Sequence, residues 1–259
     1  MELLSVKEYG QTNTQTILFL HATGSSSHMW QHHIRALQSD FHCITVDLPG
    51  HGDSYGLEWT SFDDVADLLV QIIKSKVHGK PHLVGLSLGA SLILKLLEKH
   101  SQLIDRVIVD GASHQPIKGY RKIIIGVYLA SLFKNSKMVT NMMVKMMKAD
   151  GGPQEDYELF IRDMKGTTRK SFRRAMSQAI RLRIEGSFDN PVFFVSGQKE
   201  SEEIHQSHRF LVQKNSFSEF GVYPKKGHAW LFSDVQTHIQ LVRYFFQGAT
   251  FPERLQRLM

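Results

Sequence analysis

The chain has 259 residues, of which 42% are hydrophobic and 22% are charged, with one cysteine and a formal net charge of +6. These values exclude disordered, fibrous and disulfide-stapled classes, and a chain of this length can bury a core as one domain. The longest near-apolar run, at 123–133, is shorter than the roughly 20 residues that span a bilayer, and no secretory signal is visible. We therefore expect a cytoplasmic protein without stable membrane insertion.

Taken in chain order, short apolar runs alternate with stretches of helical period. The predicted strands are an antiparallel edge at 2–9 and further strands at 16–20, 41–46, 82–86, 106–109, 192–196 and 219–223. The predicted helices are 29–38, 62–76, 88–99, 202–213 and 229–246. Such alternation predicts an α/β fold with a mostly parallel central sheet flanked by helices on both faces.

The alternation fails between residues 114 and 187. Four helical stretches lie there, at 120–133, 137–148, 154–165 and 168–183, with no strand-like run between them. This predicts a helical cap, 114–187, inserted within a single domain, 1–259, on the loop after strand 106–109. Residues 116–187 hold 15 Lys and Arg against 6 Asp and Glu. Such a charge excess is usually a solvated face, and attraction of an acidic substrate or an anionic surface is the alternative.

A serine stands where the strand 82–86 meets the helix 88–99. The sequence there is Gly85-Leu86-Ser87-Leu88-Gly89. A Gly-x-Ser-x-Gly between a strand and a helix fits a sharp turn that exposes the serine hydroxyl at the carboxyl edge of the sheet, where α/β proteins bind their ligands. We interpret Ser87 as a candidate nucleophile, against the plainer possibility of a tight turn that contains a serine.

A serine nucleophile needs a base, and the base needs an orienting carboxylate. His228 follows strand 219–223 in a loop at the carboxyl edge, which makes it the candidate base among 14 histidines. Glu200, in the loop after strand 192–196, is the candidate acid. Asp110, at the end of a neighbouring strand, is the alternative acid, and Glu202 or Glu203 are further alternatives.

Acyl transfer also needs two backbone donors for the developing oxyanion. Leu88 follows the nucleophile and supplies one N–H group. The second is expected from the loop after strand 16–20, which reads His21-Ala22-Thr23-Gly24, and Thr23 is the predicted donor.

These motifs together resemble the α/β-hydrolase superfamily. They are His21–Gly24, the run Asp47-Leu48-Pro49-Gly50-His51-Gly52-Asp53-Ser54, Gly85–Gly89, 197–200 and Gly227-His228, in the family's order. The resemblance implies an eight-stranded or slightly reduced sheet, a helical cap after the sixth strand, and no cofactor or metal. The chain departs from the family's pattern at Ala22, where Gly is usual, and at Glu200, where Asp is usual.

The resemblance and the serine nucleophile together imply hydrolysis of a small or medium lipophilic carboxylic ester or lactone. The predicted enzyme is a serine hydrolase of the carboxylesterase type, acting as a monomer or homodimer on a small-molecule ester, without a nucleic-acid partner. Hydrolysis of a carbon–carbon bond and cofactor-free perhydrolysis are alternatives on the same scaffold. A small-molecule sensor with little turnover is an alternative from a different class.

Overall fold

The structure is a computed structural model that describes residues 4–258, without the side chains of residues 143, 146, 147, 149 and 150. Its centre is one eight-stranded sheet in the order β1-β3-β2-β4-β5-β6-β7-β8. The strands are β1 (Val6–Tyr9), β2 (Thr16–Leu20), β3 (His42–Val46), β4 (His82–Leu86), β5 (Val107–Asp110), β6 (Val192–Gly197), β7 (Glu219–Tyr223) and β8 (Gln256–Leu258).

Six neighbouring strands, β3-β2-β4-β5-β6-β7, run parallel, and the two edge strands β1 and β8 pair antiparallel. The inner strands are buried along their length because helices cover both faces. Leu18 and Leu20 of β2 pack into one hydrophobic core, whereas the alternate residues Ile17 and Phe19 pack into the other. This alternation is what a strand between two helical layers requires.

Ten α-helices lie in the described part of the chain. They are α1 (Gln31–Leu37), α2 (Phe62–Lys76), α3 (Leu88–His100), α4 (Tyr120–Leu132), α5 (Lys137–Asp150), α6 (Gln154–Gly166), α7 (Arg169–Ile180), α8 (Glu202–Lys214), α9 (Trp230–Ser233) and α10 (Val235–Gln247). Apolar side chains of α2, α3 and α8 fill the core on one face of the sheet, and those of α1 and α10 fill the core on the other.

The helices α4 to α7 lie between β5 and β6, within the predicted insertion. Counted along this chain, the insertion follows the fifth strand, whereas the resemblance implied the sixth. The count is lower because only one strand, β1, precedes β2 in this chain. Val127 of α4, Met164 of α6 and Phe172 of α7 form a small apolar cluster of their own. The boundaries 114–187 and the single domain stay predictions.

Two other differences from the sequence prediction have local causes. The helix expected at 229–246 is broken at Asp234, which has non-helical backbone angles, φ −145° and ψ 66°, and caps α10 by accepting a hydrogen bond from the Thr237 N–H. Strand β8, near the end of the chain, was not predicted, because its sequence QRL has no apolar alternation. None of the helices in the described residues combines the length and the hydropathy that a bilayer crossing needs.

Candidate active site

The residues predicted to act together follow neighbouring strands of the sheet. Thr23 follows β2, Ser87 follows β4, Asp110 ends β5, Glu200 follows β6 and His228 follows β7. The strands β2, β4, β5, β6 and β7 are consecutive in the sheet and parallel. Their carboxyl ends therefore meet at one edge, so the fold brings all five residues to the same side of the molecule.

Ser87 sits on a strained turn between β4 and α3. Its backbone angles are φ 56° and ψ −107°, in a region that side-chain-bearing residues rarely adopt. Its N–H donates to the Asp110 carbonyl at 2.8 Å, and its own carbonyl accepts from the Ser91 N–H at 2.8 Å. These two bonds fix the turn against β5 and α3, and leave the half-buried serine side chain at the sheet edge.

Two glycines make this turn possible. A Cβ atom on Gly85 would lie 2.6 Å from the Gly89 carbonyl carbon, and one on Gly89 would lie 2.1 Å from the Leu20 carbonyl oxygen. Either contact is too close for a methyl group, so the backbone of α3 can approach β2 and β4 only with glycine at both positions. The Gly-x-Ser-x-Gly pattern is thus explained by packing on either side of Ser87.

The structure brings His228 and Glu200 together. The Nδ1 atom of His228 lies 2.6 Å from Oε2 of Glu200, and the Glu200 side chain is 3% exposed while that of His228 is 45% exposed. An ionised carboxylate only accepts, so Nδ1 carries the hydrogen of this bond. Nε2 of the neutral imidazole is then the nitrogen that can accept a proton.

Glu200 is held in its ionised form. Its burial alone would raise its pKa, but the nearby charge and hydrogen bond of His228, and the Gly197 N–H donating to Oε1 at 3.1 Å, bring the pKa below its ordinary value. The carboxylate is therefore suited to orient an imidazole and to stabilise its protonated form.

Backbone contacts join the loop of the acid to the loop of the histidine. The Lys199 N–H donates to the Lys226 carbonyl at 2.8 Å, and the Lys225 N–H donates to Oε1 of Gln198 at 2.8 Å. A Cβ atom on Gly197 would lie 2.2 Å from the Gly227 carbonyl oxygen. The glycine therefore permits a close approach of the two loops, which sets the register of Glu200 against His228.

Gly111 was missed by the sequence analysis. Strands β4 and β7 are three positions apart, roughly 14 Å at the usual spacing of a sheet, so His228 must lie back across the end of β5 to approach Ser87. Gly111 is at that end, and a Cβ atom on it would lie 2.7 Å from the His228 ring and 3.1 Å from Oε2 of Glu200. A glycine directly after the apolar strand and its final Asp110 was the only sequence signal for this position.

The alternative acids lie elsewhere. Asp110 is fully buried and accepts from Nε1 of Trp230 at 3.2 Å, and its other oxygen lies 3.9 Å from Nε2 of His238. Burial, with Glu200 nearby, raises the pKa of Asp110 well above its ordinary value, so this side chain is suited to stay neutral. Glu202 is exposed and pairs with Arg209. No contact with His228 is found for Glu203 among the described residues.

The two predicted oxyanion donors have N–H groups available. Leu88 is the first residue of α3, so no carbonyl of that helix is its acceptor. Thr23 has no backbone acceptor for its N–H among the described residues. The only residues other than glycine with positive φ in the described range are Ser87 and Lys225, so Ala22 takes the place of the family's glycine without left-handed strain.

Buried side chains support the loop that carries Thr23. Nε2 of His21 accepts from the Leu48 N–H at 2.9 Å, while its Nδ1 donates to the Ala22 carbonyl at 2.8 Å. Asp47 accepts from the Ser27 N–H at 2.7 Å and from the Asp53 N–H at 2.9 Å. These bonds explain the His and Asp of the two motifs as supports of backbone geometry.

The cap helix α6 rests on the same loop. Asp163 accepts from the Ser26 hydroxyl at 2.5 Å. A Cβ atom on Gly24 would collide with the end of the Met164 side chain. The end of α6 therefore lies directly against the residues that follow Thr23, so the insertion contributes to the shape of the site.

One cluster among the described residues could hold a cation. His32, Glu155 and Asp156 have ligand atoms within 4.8 Å of one another, at the contact between α1 and α6. The separation from His32 to Asp156, 3.4 Å, is that of a direct His–carboxylate pair. A pair of this kind needs no metal ion to explain it, and the absence of a metal and of a cofactor stays a prediction.

Similarity to known proteins supports the fold. A family model described as alpha/beta hydrolase fold matches residues 15–128. The enol-lactonase structure from Burkholderia xenovorans superposes with a TM-score of 0.80 at 15% identity, over 94% of this chain and 96% of that chain. At this identity the likeness establishes the fold alone.

Curated relatives match over shorter segments. The 2-succinyl-6-hydroxy-2,4-cyclohexadiene-1-carboxylate synthase of Escherichia coli is 33% identical over 111 residues, which are 43% of this chain and 44% of that protein. The 3-oxoadipate enol-lactonase 1 of Acinetobacter baylyi is 32% identical over 93 residues, which are 36% of this chain and 35% of that protein. The chain thus spans less than half the length of these relatives.

Proposed function

We propose that this chain, which has the α/β-hydrolase fold, is a serine hydrolase that cleaves a small or medium lipophilic carboxylic ester or lactone. In this proposal Ser87 is the nucleophile, His228 the base and Glu200 the orienting acid. The N–H groups of Thr23 and Leu88 bind the oxyanion.

The observation that carries the proposal is the hydrogen bond between His228 and Glu200 at the edge that also holds Ser87. A 2.6 Å bond to a buried carboxylate fixes the imidazole tautomer with Nε2 as the basic nitrogen. The strained turn supports the role of Ser87, because strain of this kind persists where the surroundings enforce it and is concentrated at functional sites.

The proposed reaction has two halves. The Ser87 hydroxyl attacks the carbonyl carbon as its proton passes to Nε2 of His228, and the oxyanion is stabilised by the two backbone donors. The imidazolium then protonates the leaving alkoxide, which departs as the alcohol and leaves an acyl-enzyme. Water attacks the ester carbonyl as its proton passes to His228, and collapse of the second intermediate, with that proton given to the Ser87 oxygen, releases the acid and restores the serine hydroxyl.

The test is hydrolysis of p-nitrophenyl acetate and butyrate by the wild type and by Ser87→Ala, His228→Ala and Glu200→Gln. We expect Ser87→Ala and His228→Ala to lower kcat by a factor of about 10³ or more, and Glu200→Gln by about 100 or more. The matched controls are Ser75→Ala and His78→Ala, which change exposed residues in and beyond the last turn of α2 and should leave the rate unchanged.

A fluorophosphonate probe with intact-mass detection separates chemistry from substrate choice. Labelling of the wild type and not of Ser87→Ala is expected. If neither hydrolysis nor labelling depends on Ser87, the serine hydrolase proposal fails and the sensor alternative takes its place.

A second candidate is the synthase activity in the name of the Escherichia coli relative. The observation that favours it is an identity of 33%, level with the 32% of the enol-lactonase. It would use the same serine and histidine. Serine-dependent labelling without hydrolysis of any ester or lactone tested would favour this candidate over the hydrolase.

A further inference from the structure

The outer face of cap helix α4 is apolar and open to solvent. Five large side chains on it and at its C-cap are between 41% and 62% exposed: Ile125, Tyr128, Leu129, Leu132 and Phe133. Their spacing of i, i+3, i+4, i+7 and i+8 places them on one stripe of the helix. We call these five residues the α4 stripe.

The α4 stripe is not the helix's packing face. The residues on the other side, Val127 and Ser131, are buried, and α4 packs there against α7. The helix therefore already has its intramolecular partner, and the stripe is a second apolar surface. Two residues in the first turns of the next helix, Met138 and Met142 of α5, are also 74% and 54% exposed.

Contiguous exposed apolar surface of this kind is uncommon on a monomer and marks an interaction site. Eight of the twelve large hydrophobic residues found exposed in the described range lie between residues 123 and 142. The apolar exposure is therefore concentrated on α4 and the start of α5, and is not scattered over the molecule.

The segment that carries the stripe is basic. Residues 111–149 contain seven Lys or Arg, of which Lys134 is buried, and no Asp or Glu, and α7 contains four basic residues and no acidic one. Arg173 of α7 lies over the Tyr128 ring at 5.1 Å, so this basic residue directly borders the stripe. Among the described residues, no carboxylate pairs with Arg121, Lys122, Arg169, Lys170 or Arg173.

We propose that the α4 stripe and its basic border form a docking surface for an anionic phospholipid membrane. An apolar helix face that enters the interfacial region, flanked by basic side chains that meet lipid phosphates, is the pattern of reversible interfacial binding. The basic side chains without a carboxylate partner in the described residues favour this occupant over a neutral apolar partner, which would leave their charges uncompensated. A tyrosine on such a face fits the membrane interface as well.

The docking surface does not depend on the proposed hydrolysis, so binding is the readout. The purified full chain is mixed with vesicles of phosphatidylcholine alone or of equal parts phosphatidylcholine and phosphatidylglycerol, at low and high salt, and bound protein is measured by flotation. We expect binding to the mixed vesicles, weak binding to phosphatidylcholine, and a decrease with salt because surface charge attraction is screened.

Two variants test the two parts of the surface. Ile125→Gln with Leu129→Gln, both solvent-facing positions in a helix that glutamine tolerates, should weaken binding by about tenfold or more. Arg121→Gln with Lys122→Gln should weaken it and reduce its salt dependence. The matched control is Phe217→Gln, which removes a large hydrophobic side chain, 63% exposed, between α8 and β7.

The proposal is overturned if the wild type fails to float with mixed vesicles, or if Phe217→Gln weakens binding as much as the α4 variant does. A second copy of the chain is the competing occupant of the stripe. If light scattering shows a dimer that the α4 variant converts to a monomer, and vesicles do not bind, the stripe is a protomer interface and the membrane proposal is wrong.

Discussion

At the scale of single residues, a glycine after β5 controls the geometry of the candidate site. Gly111 has φ +64° and no side chain, and the ring of His228 occupies the space that a methyl group would take. The backbone conformation and the free space are separate requirements. They can be separated by comparison with Gly119, which has φ +72° and no atom within 4 Å of the position that a methyl group would occupy.

We predict that Gly111→Ala lowers kcat for p-nitrophenyl butyrate by about 100-fold, because a misplacement of the imidazole by about 1 Å is enough for such a loss. Gly119→Ala should keep the wild-type kcat. Both variants should lose about 1–2 kcal/mol of stability from the left-handed backbone. Enzyme kinetics and urea denaturation check this, and equal activity of the two variants would contradict it.

Asp110 and Glu200 are neighbouring carboxyl groups with opposite pKa shifts. Burial is the largest single influence on both pKa values and acts to raise each of them. The pKa of Asp110 is raised accordingly. The pKa of Glu200 is lowered, because the charge and hydrogen bond of His228 and the Gly197 N–H together outweigh burial. When the pKa of a carboxyl group is higher in the folded than in the unfolded state, the folded state binds more protons at any pH between the two pKa values. The free energy of unfolding therefore decreases as the pH rises above the pKa of the unfolded state.

We therefore predict that Asp110→Asn becomes more stable relative to the wild type as the pH rises above the ordinary aspartate pKa of 3.8. Its esterase activity should stay close to that of the wild type, whereas Glu200→Gln loses activity. The measurements are urea denaturation across the acidic to neutral range and the p-nitrophenyl ester assay. Loss of activity in Asp110→Asn with Glu200→Gln active would reverse the assignment of the acid.

At the scale of elements, the position of Ser87 depends on how closely α3 packs on the sheet. Gly89 is in the first turn of α3, where its Cα faces the Leu20 carbonyl of β2. A methyl group there cannot be relieved by a rotamer change, because the atom that it meets belongs to the backbone. The helix as a whole would have to move away from β2.

We predict that Gly89→Ala lowers the free energy of unfolding by about 1–3 kcal/mol, the usual range for overpacking. The control is Gly126→Ala in α4, a helical glycine with no atom within 4 Å, which should raise stability by about 0.5–1 kcal/mol. Urea denaturation of both variants provides the measurement. A stabilising Gly89→Ala would show that α3 does not pack as described.

At the scale of the whole molecule, the single cysteine provides a probe of global unfolding. Cys43 is fully buried in β3, and burial, with a smaller contribution from Asp40, raises the pKa of its thiol to about 12. Its side chain lies in the hydrophobic core between the sheet and the helices α1 and α10, so Cys43 is exposed only when that core opens.

We predict that Ellman's reagent reacts with the protein only through its small globally unfolded fraction under native conditions, and at once in denaturant. Adding urea below the transition should increase the labelling rate in proportion to the unfolded population. Native protein that reacts as fast as a free exposed thiol would contradict the burial of β3.

Much of the fold could be predicted because it depends on local patterns. The apolar runs of β2, β4 and β7 begin and end as predicted, and the predicted α/β-hydrolase fold with its mostly parallel sheet is confirmed. The break at Asp234 could not be seen in the same way, because the apolar period continues across it and only the capping geometry ends one helix and starts the next.

The sequence by itself determined the alternation of strands and helices, the α/β-hydrolase fold, and a short set of candidate site residues, since motif spacing and apolar period are local properties. The tertiary structure decided which carboxylate meets His228, that Gly111 must be small, and that α4 has two apolar faces with only one of them covered. These depend on which residues from distant parts of the chain come into contact, and only the order of strands in the sheet and the packing of helices on it determine that.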